Sequence, residues 1–241
     1  MEEAVYDIVY QLEDRHWWFR GRRAAIRALL ARARLDPPLR VLDAGCGTGR
    51  NLQEYARLGS ATGVDPSSRA VEFCRRRGLG DVEMGSVEEL PFADGSFDLI
   101  CATDVLEHVD DDRRGLRELH RVAAPRAVLL VTVPAYAFLW SESDVALQHR
   151  RRYAQRELIT KAEDAGWSPE VVSHFNTLLL PAIAAARKLR RGKRRHRTEL
   201  EATPSGLDGP LSVPMRLEAK LIARGARLPA GLSIGAVCRR L

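Results

Sequence analysis

The feature that most constrains the fold is a glycine-rich turn at residues 41–51, which reads VLDAGCGTGRN. An apolar run leads into Asp43, and Gly45, Gly47 and Gly49 follow at alternate positions before a helical pattern begins. Glycine permits a tight turn with positive φ and lets the backbone approach a ligand at a helix N-terminus. The segment therefore predicts a strand, a ligand-binding turn and a helix in succession.

A second signal lies twenty residues after Gly45, where TGVDPS places Asp65 at the end of another apolar run. An acid at the tip of the next strand is positioned to hydrogen-bond a ribose diol. The turn is GxGxG rather than the GxGxxG of dinucleotide-binding domains, and the chain has no GKS or GKT triplet for a P-loop. Together the two signals indicate a nucleotide-binding site of another kind.

Short apolar runs alternate with helical patterns over residues 39–175, which is typical of a parallel sheet covered by helices on both faces. The predicted strands are 39–45, 61–65, 81–84, 97–103, 127–134, 167–175 and 233–238. The predicted helices are 4–14, 18–34, 48–58, 67–77, 111–123, 155–165, 177–191 and 212–227. We expect an α/β, Rossmann-like, doubly wound fold with a mostly parallel seven-stranded sheet whose last strand is antiparallel.

Four segments follow from this pattern. They are an N-terminal helical cap or lid (1–38), a core (39–175) with a substrate loop at 135–153, a helical insertion with a basic stretch (176–231), and the final core strand (232–241). A Pro/Gly-rich linker at 203–214 is predicted to join the two helices of the insertion.

The motifs resemble the class I S-adenosylmethionine-dependent methyltransferases, of the small-molecule, methyltransferase domain 11/12-like type, whose first motif is (D/E)xGxGxG. The resemblance continues through VDPS (64–67), GSVEELPF (85–92) and FDLICATDVLEHVDD (97–111). It is specific over 39–134 and looser over most of 135–241. It implies S-adenosyl-L-methionine as cofactor, S-adenosyl-L-homocysteine as product, and in-line transfer of a methyl group (EC 2.1.1.-). The acceptor would be an O, N or C atom of a small molecule or of a lipid- or sugar-linked biosynthetic intermediate.

The resemblance also implies which residues hold the cofactor. Those at its methionine end would be Asp43, Gly45, Cys46 and Gly47, those at its ribose and adenine would be Asp65 and Pro66, and those beside its sulfonium would be Thr103 and His108. The family often has an acid facing the adenine amino group, where this chain has Ser86. That contact would be weaker or would come from the backbone of Val87.

Two places offer candidates for catalysis. His108, in LEHV, is a general base for a hydroxyl or amine acceptor, or only a wall of the pocket. The loop at 135–153 leaves the carboxyl end of a strand, where open parallel sheets bind ligands. It supplies the catalytic candidates His149 and Tyr153 and the substrate-binding candidates Trp140, Asp144 and Arg152. Its HRRRY run suits a phosphate or carboxylate, or is only a solvated helix N-terminus.

The stretch RHWWFRGRR at 15–23 combines aromatic side chains with four arginines. With LW…D…HxRRY and a late LPxGxS, its HWWF run resembles a bacterial subgroup of this class. On that resemblance the helix closes over the site, with Trp17 and Phe19 against the substrate and Trp18 against the cofactor. Arg20 or Arg23 would meet the cofactor carboxylate or an anionic substrate. The alternative is a helix whose tryptophans fill the core while its arginines face water.

The net charge of +6 is concentrated in residues 187–197, RKLRRGKRRHR, which hold eight Lys and Arg. Removing those eight charges leaves −2 for the rest of the chain. Together with the apolar run before it, the stretch suits peripheral contact with an anionic membrane through 176–197. It also suits RNA phosphates, or is a flexible basic loop beside a packed helix. An RNA-directed methyltransferase or nucleic-acid-associated protein is therefore the alternative function.

Several absences narrow the classes. CATD at 101–104 stands where base-amino methylases carry (D/N)PPY, so nucleic acid is the less favoured partner. No window approaches the roughly 20 apolar residues of a membrane span, and the first residues are not the basic start of a signal peptide. The four cysteines have no metal-ligand spacing, so no metal site is predicted and reduced thiols in a cytoplasmic protein are expected. The oligomeric state cannot be read from the sequence.

Overall fold

A computed structural model describes residues 3–190 and 206–241 of the chain. The strands in these residues are β1 (Leu39–Ala44), β2 (Gly59–Asp65), β3 (Val82–Met84), β4 (Phe97–Thr103), β5 (Ala123–Pro134), β6 (Trp167–Phe175) and β7 (Ser233–Arg240). The helices are α1 (Glu3–Leu12), α2 (Trp17–Leu30), α3 (Arg50–Tyr55), α4 (Ser68–Arg76), α5 (Asp112–Val122), α6 (Glu142–Ala146), α7 (Gln155–Asp164), α8 (Leu180–Arg190) and α9 (Asp208–Ala223).

Within the described residues the strands form one sheet in the order β3-β2-β1-β4-β5-β7-β6. β1 pairs with β2 and β4 in parallel, whereas β7 lies antiparallel between β5 and β6. This arrangement confirms the predicted fold class. Because β1, β2, β4 and β5 are parallel, their carboxyl ends meet at one edge of the sheet, where ligands of such folds bind.

The sheet has a hydrophobic layer on each face. On one face α5 and α7 cover Leu42, Ile100 and Leu129, and on the other α2 and α9 cover Val41 and Leu130. Strands buried on both faces read as continuous apolar runs, which is why the central strands could be recognised from the sequence.

The helix α9 corrects the predicted linker at 203–214, because the helix already begins at Asp208 and contains Pro214. Its contact with α2 is close: a Cβ added to Gly21 would stand 2.2 Å from the sulfur of Met215. The start of α2 is also tied to α9, since the Trp17 amide donates to Oδ1 of Asp208 at 2.9 Å. The insertion thus holds the N-terminal helix against the sheet.

Other bounds also differ from prediction: α2 ends at Leu30 rather than 34, α3 is shorter than 48–58, β2 begins at Gly59 rather than 61, and β5 begins at Ala123 rather than 127. All four cysteines are buried free thiols. None of the helices in the described part of the chain has the length and apolar character needed to cross a bilayer.

Candidate active site

A cavity of about 240 Å³ opens at the carboxyl edge of the sheet. Its walls are the glycine turn after β1, the N-terminal half of α2, the loop after β4, part of the loop after β5, one side of α8, and the start of β7. The volume is below the roughly 300–1,000 Å³ of typical small-molecule sites. The cavity therefore represents only part of the surface that a cofactor and an acceptor would contact together.

The glycine turn forms the floor of this cavity. Gly47 has φ 53°, and a Cβ built on it would meet nothing within 4 Å, so a ligand can lie against its Cα, although its amide donates to Asp65. The amides of Gly45 and Cys46 both donate to the Val64 carbonyl, at 2.7 and 3.0 Å, which fixes the turn against β2. This open backbone at a strand end fits the methionine portion of S-adenosylmethionine.

Asp43 lies in β1 just before the turn, is 1% exposed, and is not part of the cavity wall. Neither of its carboxylate oxygens has a hydrogen-bond partner among the described residues. Burial raises the pKa of Asp43 to about 7, with Arg22 opposing the rise and Asp65 adding to it. A buried carboxylate without a partner is costly, which is typical of a position that acquires one from a ligand.

Asp65, in contrast, is fully engaged. Its Oδ1 accepts from the Tyr6 hydroxyl and the Ser67 amide, both at 3.0 Å, and its Oδ2 accepts from the Gly47 amide at 2.9 Å. Burial raises the pKa of Asp65, and these hydrogen bonds oppose the rise. Helix α1 therefore covers the position predicted for the ribose, and Asp65 is not part of the cavity wall.

The other predicted adenosine contacts also lie outside the cavity wall. Pro66 is exposed, and Ser86 accepts from the Glu88 amide at 3.2 Å. The side chain of Val87 is 4% exposed and packs in the hydrophobic layer beside α5. The contact predicted between the backbone of Val87 and the adenine stays a prediction.

The aromatic residues Trp17, Trp18 and Phe19 all line the cavity. Trp18 is half-buried and meets Phe19 edge to face, with ring centroids 5.0 Å apart. Of the two arginines predicted to meet an anion, Arg23 lines the cavity, whereas Arg20 is exposed and absent from the wall; Arg22 lines it as well. In the helix α2, Arg22 lies four positions after Trp18 and Arg23 four positions after Phe19, so each arginine shares a face with an aromatic residue of the wall.

Arg22 ties α2 to the end of β4. Its guanidinium donates to the Thr103 carbonyl at 2.7 Å and forms an ion pair with Oδ2 of Asp104 at 2.8 Å. Oδ1 of Asp104 accepts from the Thr132 hydroxyl at 2.9 Å, and Thr103 accepts from Asn51 at 3.2 Å. Arg22 thus ties α2 to Thr103, one of the residues predicted to lie beside the sulfonium.

Glu107 and His108 form the wall beyond Asp104. Glu107 is 1% exposed, and neither of its carboxylate oxygens is hydrogen-bonded within the described segments. Burial, with Asp104 nearby, raises its pKa well above the usual range. Burial also lowers the pKa of His108 to about 3, and His149 contributes to that shift.

The loop after β5 is organised by Asp144, whose side chain is fully buried. Its carboxylate accepts from the Ser141 amide at 2.7 Å, from Nδ1 of His149 at 2.9 Å, and from Arg152 at 2.8 and 3.0 Å. Burial alone would raise the pKa of Asp144, but the hydrogen bonds from His149 and Arg152 hold it below the usual range. Asp144 and Arg152, both predicted to bind substrate, are bound to each other.

The structure brings His149 to His108, with the two rings edge to face and their centroids 4.8 Å apart. It does not bring Tyr153 or Trp140 to the cavity. The Tyr153 hydroxyl is buried between the Leu106 carbonyl at 3.0 Å and Oδ2 of Asp112 at 2.7 Å, where it joins the two loops from behind. Trp140 is 39% exposed and outside the wall. Neither side chain can reach the atoms of an acceptor held in this cavity.

Sequence reasoning missed Arg22 and Asp104 as parts of the wall, and of the neighbouring Glu107 and His108 it gave a role only to His108. A signal existed for Arg22, which is one turn after Trp18 on the same face of a predicted helix. For Asp104, at φ 57°, no pattern in the sequence indicates the turn that directs its carboxylate to Arg22.

Residues 42–131 match the family model described as a methyltransferase domain. The chain is 32% identical over 186 residues to the ubiquinone biosynthesis O-methyltransferase of Xanthomonas oryzae pv. oryzae, an alignment that covers 68% of this chain and 78% of that protein. The chain belongs to the class I S-adenosylmethionine-dependent methyltransferases. Its cofactor is S-adenosyl-L-methionine.

A second member of the class is a probable S-adenosylmethionine-dependent methyltransferase of Mycolicibacterium smegmatis, 31% identical over 164 residues and covering 66% of this chain. That alignment covers 62% of the Mycolicibacterium protein. A separate alignment, also at 31% identity, covers 48% of another relative, so the chain spans only about half to three fifths of these proteins. A solved methyltransferase structure from Thermotoga maritima aligns over 98% of this chain and all of its own, with a TM-score of 0.58 at 21% identity. That likeness concerns the fold alone.

Proposed function

We propose that this methyltransferase transfers the methyl group to an oxygen of a small molecule held in the cavity between the glycine turn and the His108–His149 pair. The observation that carries the proposal is the position of this pair, which lines the same cavity as Gly47 and the aromatic residues of α2. The name of the Xanthomonas relative, an O-methyltransferase of ubiquinone biosynthesis, supports oxygen as the acceptor atom and a small molecule as the acceptor.

When bound, S-adenosylmethionine supplies the activated methyl group. The residues of this chain that would hold it are the open backbone at Gly47, the unpartnered carboxylate of Asp43 and, after Tyr6 yields its place, the carboxylate of Asp65. Arg22 and Arg23 lie in the same wall and would face the anionic end of the cofactor. Trp17, Trp18 and Phe19 would exclude water, which strengthens every electrostatic interaction within the site.

In-line transfer needs little more than alignment and removal of the acceptor proton. Proton removal falls to the His108–His149 pair, since both rings line the cavity. His149 is held in one orientation by the hydrogen bond from its Nδ1 to Asp144, so its other ring nitrogen is available to the acceptor.

The test uses isotopically labelled S-adenosylmethionine with fractionated cell extract and with a panel of simple phenols and carboxylic acids. We expect label in a small-molecule fraction, released as a methyl ether or ester. Label in a ribonuclease-sensitive fraction would favour the RNA-directed alternative. Proven cofactor binding with no label in any fraction would overturn the proposed activity.

Two variants test the residues proposed to bind the cofactor. Asp65→Ala should weaken cofactor binding by on the order of 1–3 kcal/mol through lost hydrogen bonds. Trp18→Ala should impair turnover if α2 is a cap over the site. A lower melting temperature with unchanged turnover would instead favour the core-helix interpretation of RHWWFRGRR.

Three further predictions are retained as proposals. They are the division into segments 1–38, 39–175, 176–231 and 232–241, a cytoplasmic location, and peripheral contact of residues 176–197 with an anionic membrane. Most of the basic stretch 187–197 lies outside the described residues. Deleting 187–197 should leave turnover of a soluble acceptor intact and reduce sedimentation with anionic vesicles.

A further inference from the structure

We propose that Glu107, His108 and His149 bind a divalent transition-metal ion at the cavity wall. The site concerns the same cavity as the proposed function but does not depend on methyl transfer, because its occupancy can be measured on the chain alone. No metal-ligand spacing in the sequence predicts this site, because its ligands come from two loops about forty residues apart.

The three side chains already stand near coordinating distance. One ligand atom from each lies within 4.8 Å of the others. A metal about 2.1 Å from each atom needs them roughly 3–3.5 Å apart, so a movement of about 1 Å closes the site. Rotation of side chains about their existing bonds is enough for a movement of that size.

The two loops that carry the ligands are fastened to each other beside the site. The Arg150 amide donates to the Glu107 carbonyl at 2.7 Å, and the Arg150 guanidinium donates to the His108 carbonyl at 3.0 Å. Behind them, Tyr153 links the Leu106 carbonyl to Asp112. The backbone beneath all three ligands is thus held in one arrangement before any ion arrives.

Each histidine has a ring nitrogen suited to a metal. Nδ1 of His149 is bonded to the buried carboxylate of Asp144 at 2.9 Å, which leaves Nε2 as the ligand atom. A carboxylate behind a histidine is the usual outer shell of a metal-bound imidazole. Nδ1 of His108 is buried and has no hydrogen-bond partner in the part of the chain that the structure describes.

The charges around the cavity leave a place for a cation. Asp104 is paired with Arg22, and Asp144 is paired with Arg152. The carboxylate of Glu107 is unpartnered among residues 3–190 and 206–241, although it is 1% exposed. Burying a carboxylate without a partner is expensive, and a metal ion bound to it would remove that cost.

The ligand types favour one group of metals. Two imidazoles and one carboxylate suit zinc, manganese, iron or cobalt, whereas magnesium and calcium prefer oxygen ligands throughout. Three protein ligands leave at least one coordination position, which faces the cavity. A hydroxyl bound there would have a lower pKa and release its proton to water more readily, so the histidine pair would promote proton removal as ligands of the metal rather than by accepting the proton itself.

The experiment is calorimetric titration of the untagged, chelator-treated chain with Zn²⁺, Mn²⁺ or Mg²⁺, without cofactor or acceptor. We expect about one Zn²⁺ or Mn²⁺ per chain, much weaker binding of Mg²⁺, and a higher melting temperature when zinc or manganese is present. Glu107→Gln and His149→Gln should each weaken the binding by at least tenfold. The matched controls Glu89→Gln and His120→Gln, outside the cavity wall, should bind as the unmodified chain does.

Circular dichroism confirms that each variant is folded, and Glu107→Gln keeps the shape of the original side chain. Cobalt gives a second readout, because Co²⁺ bound by two imidazoles has a visible spectrum that His149→Gln should change. The metal proposal is overturned if the chain binds no metal stoichiometrically, or if the cavity variants bind it as the controls do. Either result leaves the proposed methyl transfer standing, with His108 and His149 as direct proton acceptors.

Discussion

The loops after β4 and β5 leave neighbouring parallel strands, and each buries a carboxylate at the same cavity. Asp144, in the loop after β5, is completely buried and accepts hydrogen bonds from Ser141, His149 and Arg152. Glu107, in the loop after β4, is 1% exposed and has no such partner in the described residues. Equal burial therefore has opposite consequences for the two groups.

The difference separates a structural carboxylate from a ligand-binding one. Hydrogen bonds and an ion pair keep Asp144 ionised and lower its pKa, whereas burial raises the pKa of Glu107 although the charges of Arg22 and Arg152 oppose the rise. A protein can retain a buried group that lowers the stability of the unliganded fold where the binding of a ligand to that group offsets the loss. Four substitutions examine this contrast.

The largest effect is expected for Asp144→Ala. It leaves the guanidinium of Arg152, with only 6% of its side chain exposed, without its carboxylate. Removing one partner of a buried pair costs about 3–5 kcal/mol of the free energy of unfolding, measured by urea denaturation. Ser141→Ala, which removes only a hydroxyl bonded to Asp144, should cost about 1 kcal/mol. Equal losses in the two variants would contradict the role of Asp144 as the anchor of this loop.

The next effect is pH-dependent and concerns Asp43, which is buried and unpartnered like Glu107. Because its pKa is raised to about 7 in the folded chain, the folded state binds a proton that the unfolded state releases near pH 4. Asp43 therefore makes the chain less stable as pH rises from about 4 to 7, with a slope of at most about 1.4 kcal/mol per pH unit. Relative to the unmodified chain, Asp43→Asn should gain about 2 kcal/mol between pH 5 and 7 in denaturation without cofactor. A constant difference across this range would show that Asp43 is already ionised.

A smaller change is expected for Tyr6→Phe, which removes the hydroxyl bonded to Oδ1 of Asp65. The loss of one hydrogen bond should cost about 1 kcal/mol in unfolding free energy. Cofactor affinity should rise, because the ribose no longer has to displace the hydroxyl, and calorimetric titration with S-adenosylhomocysteine measures it. A weaker affinity would mean that Tyr6 contacts the cofactor itself.

The smallest effect on stability is expected for Glu107→Gln. Glu107 has no side-chain hydrogen bond to lose within the described residues, and glutamine keeps its shape, so the unfolding free energy should change by less than about 1 kcal/mol near pH 7. Because burial raises the pKa of Glu107, any change should be a gain that grows as the pH is raised. A loss of the size expected for Asp144→Ala would remove the contrast between the two loops.

The frame of the molecule was largely predictable. The bounds of β4 and β6 were predicted as 97–103 and 167–175, because a buried strand between turn residues has a pattern that does not depend on its partner. The error at 203–214 has the opposite cause. Asp208, Gly209 and Pro210 have the composition of a linker, yet α9 begins there because it packs on α2, about 190 residues earlier in the chain.

The same division holds at the site. The glycine turn at 45–49 and the acid at 65 were identifiable because each depends on the local path of the chain, and the family follows from them. Only the tertiary structure decided which arginines of α2 line the cavity and how His149 meets His108. It also decided why the Glu107 carboxylate lacks a hydrogen-bond partner while that of Asp144 has several. Those features depend on which loops the order of the strands brings to one edge of the sheet, and no local pattern encodes contacts between segments so far apart in the chain.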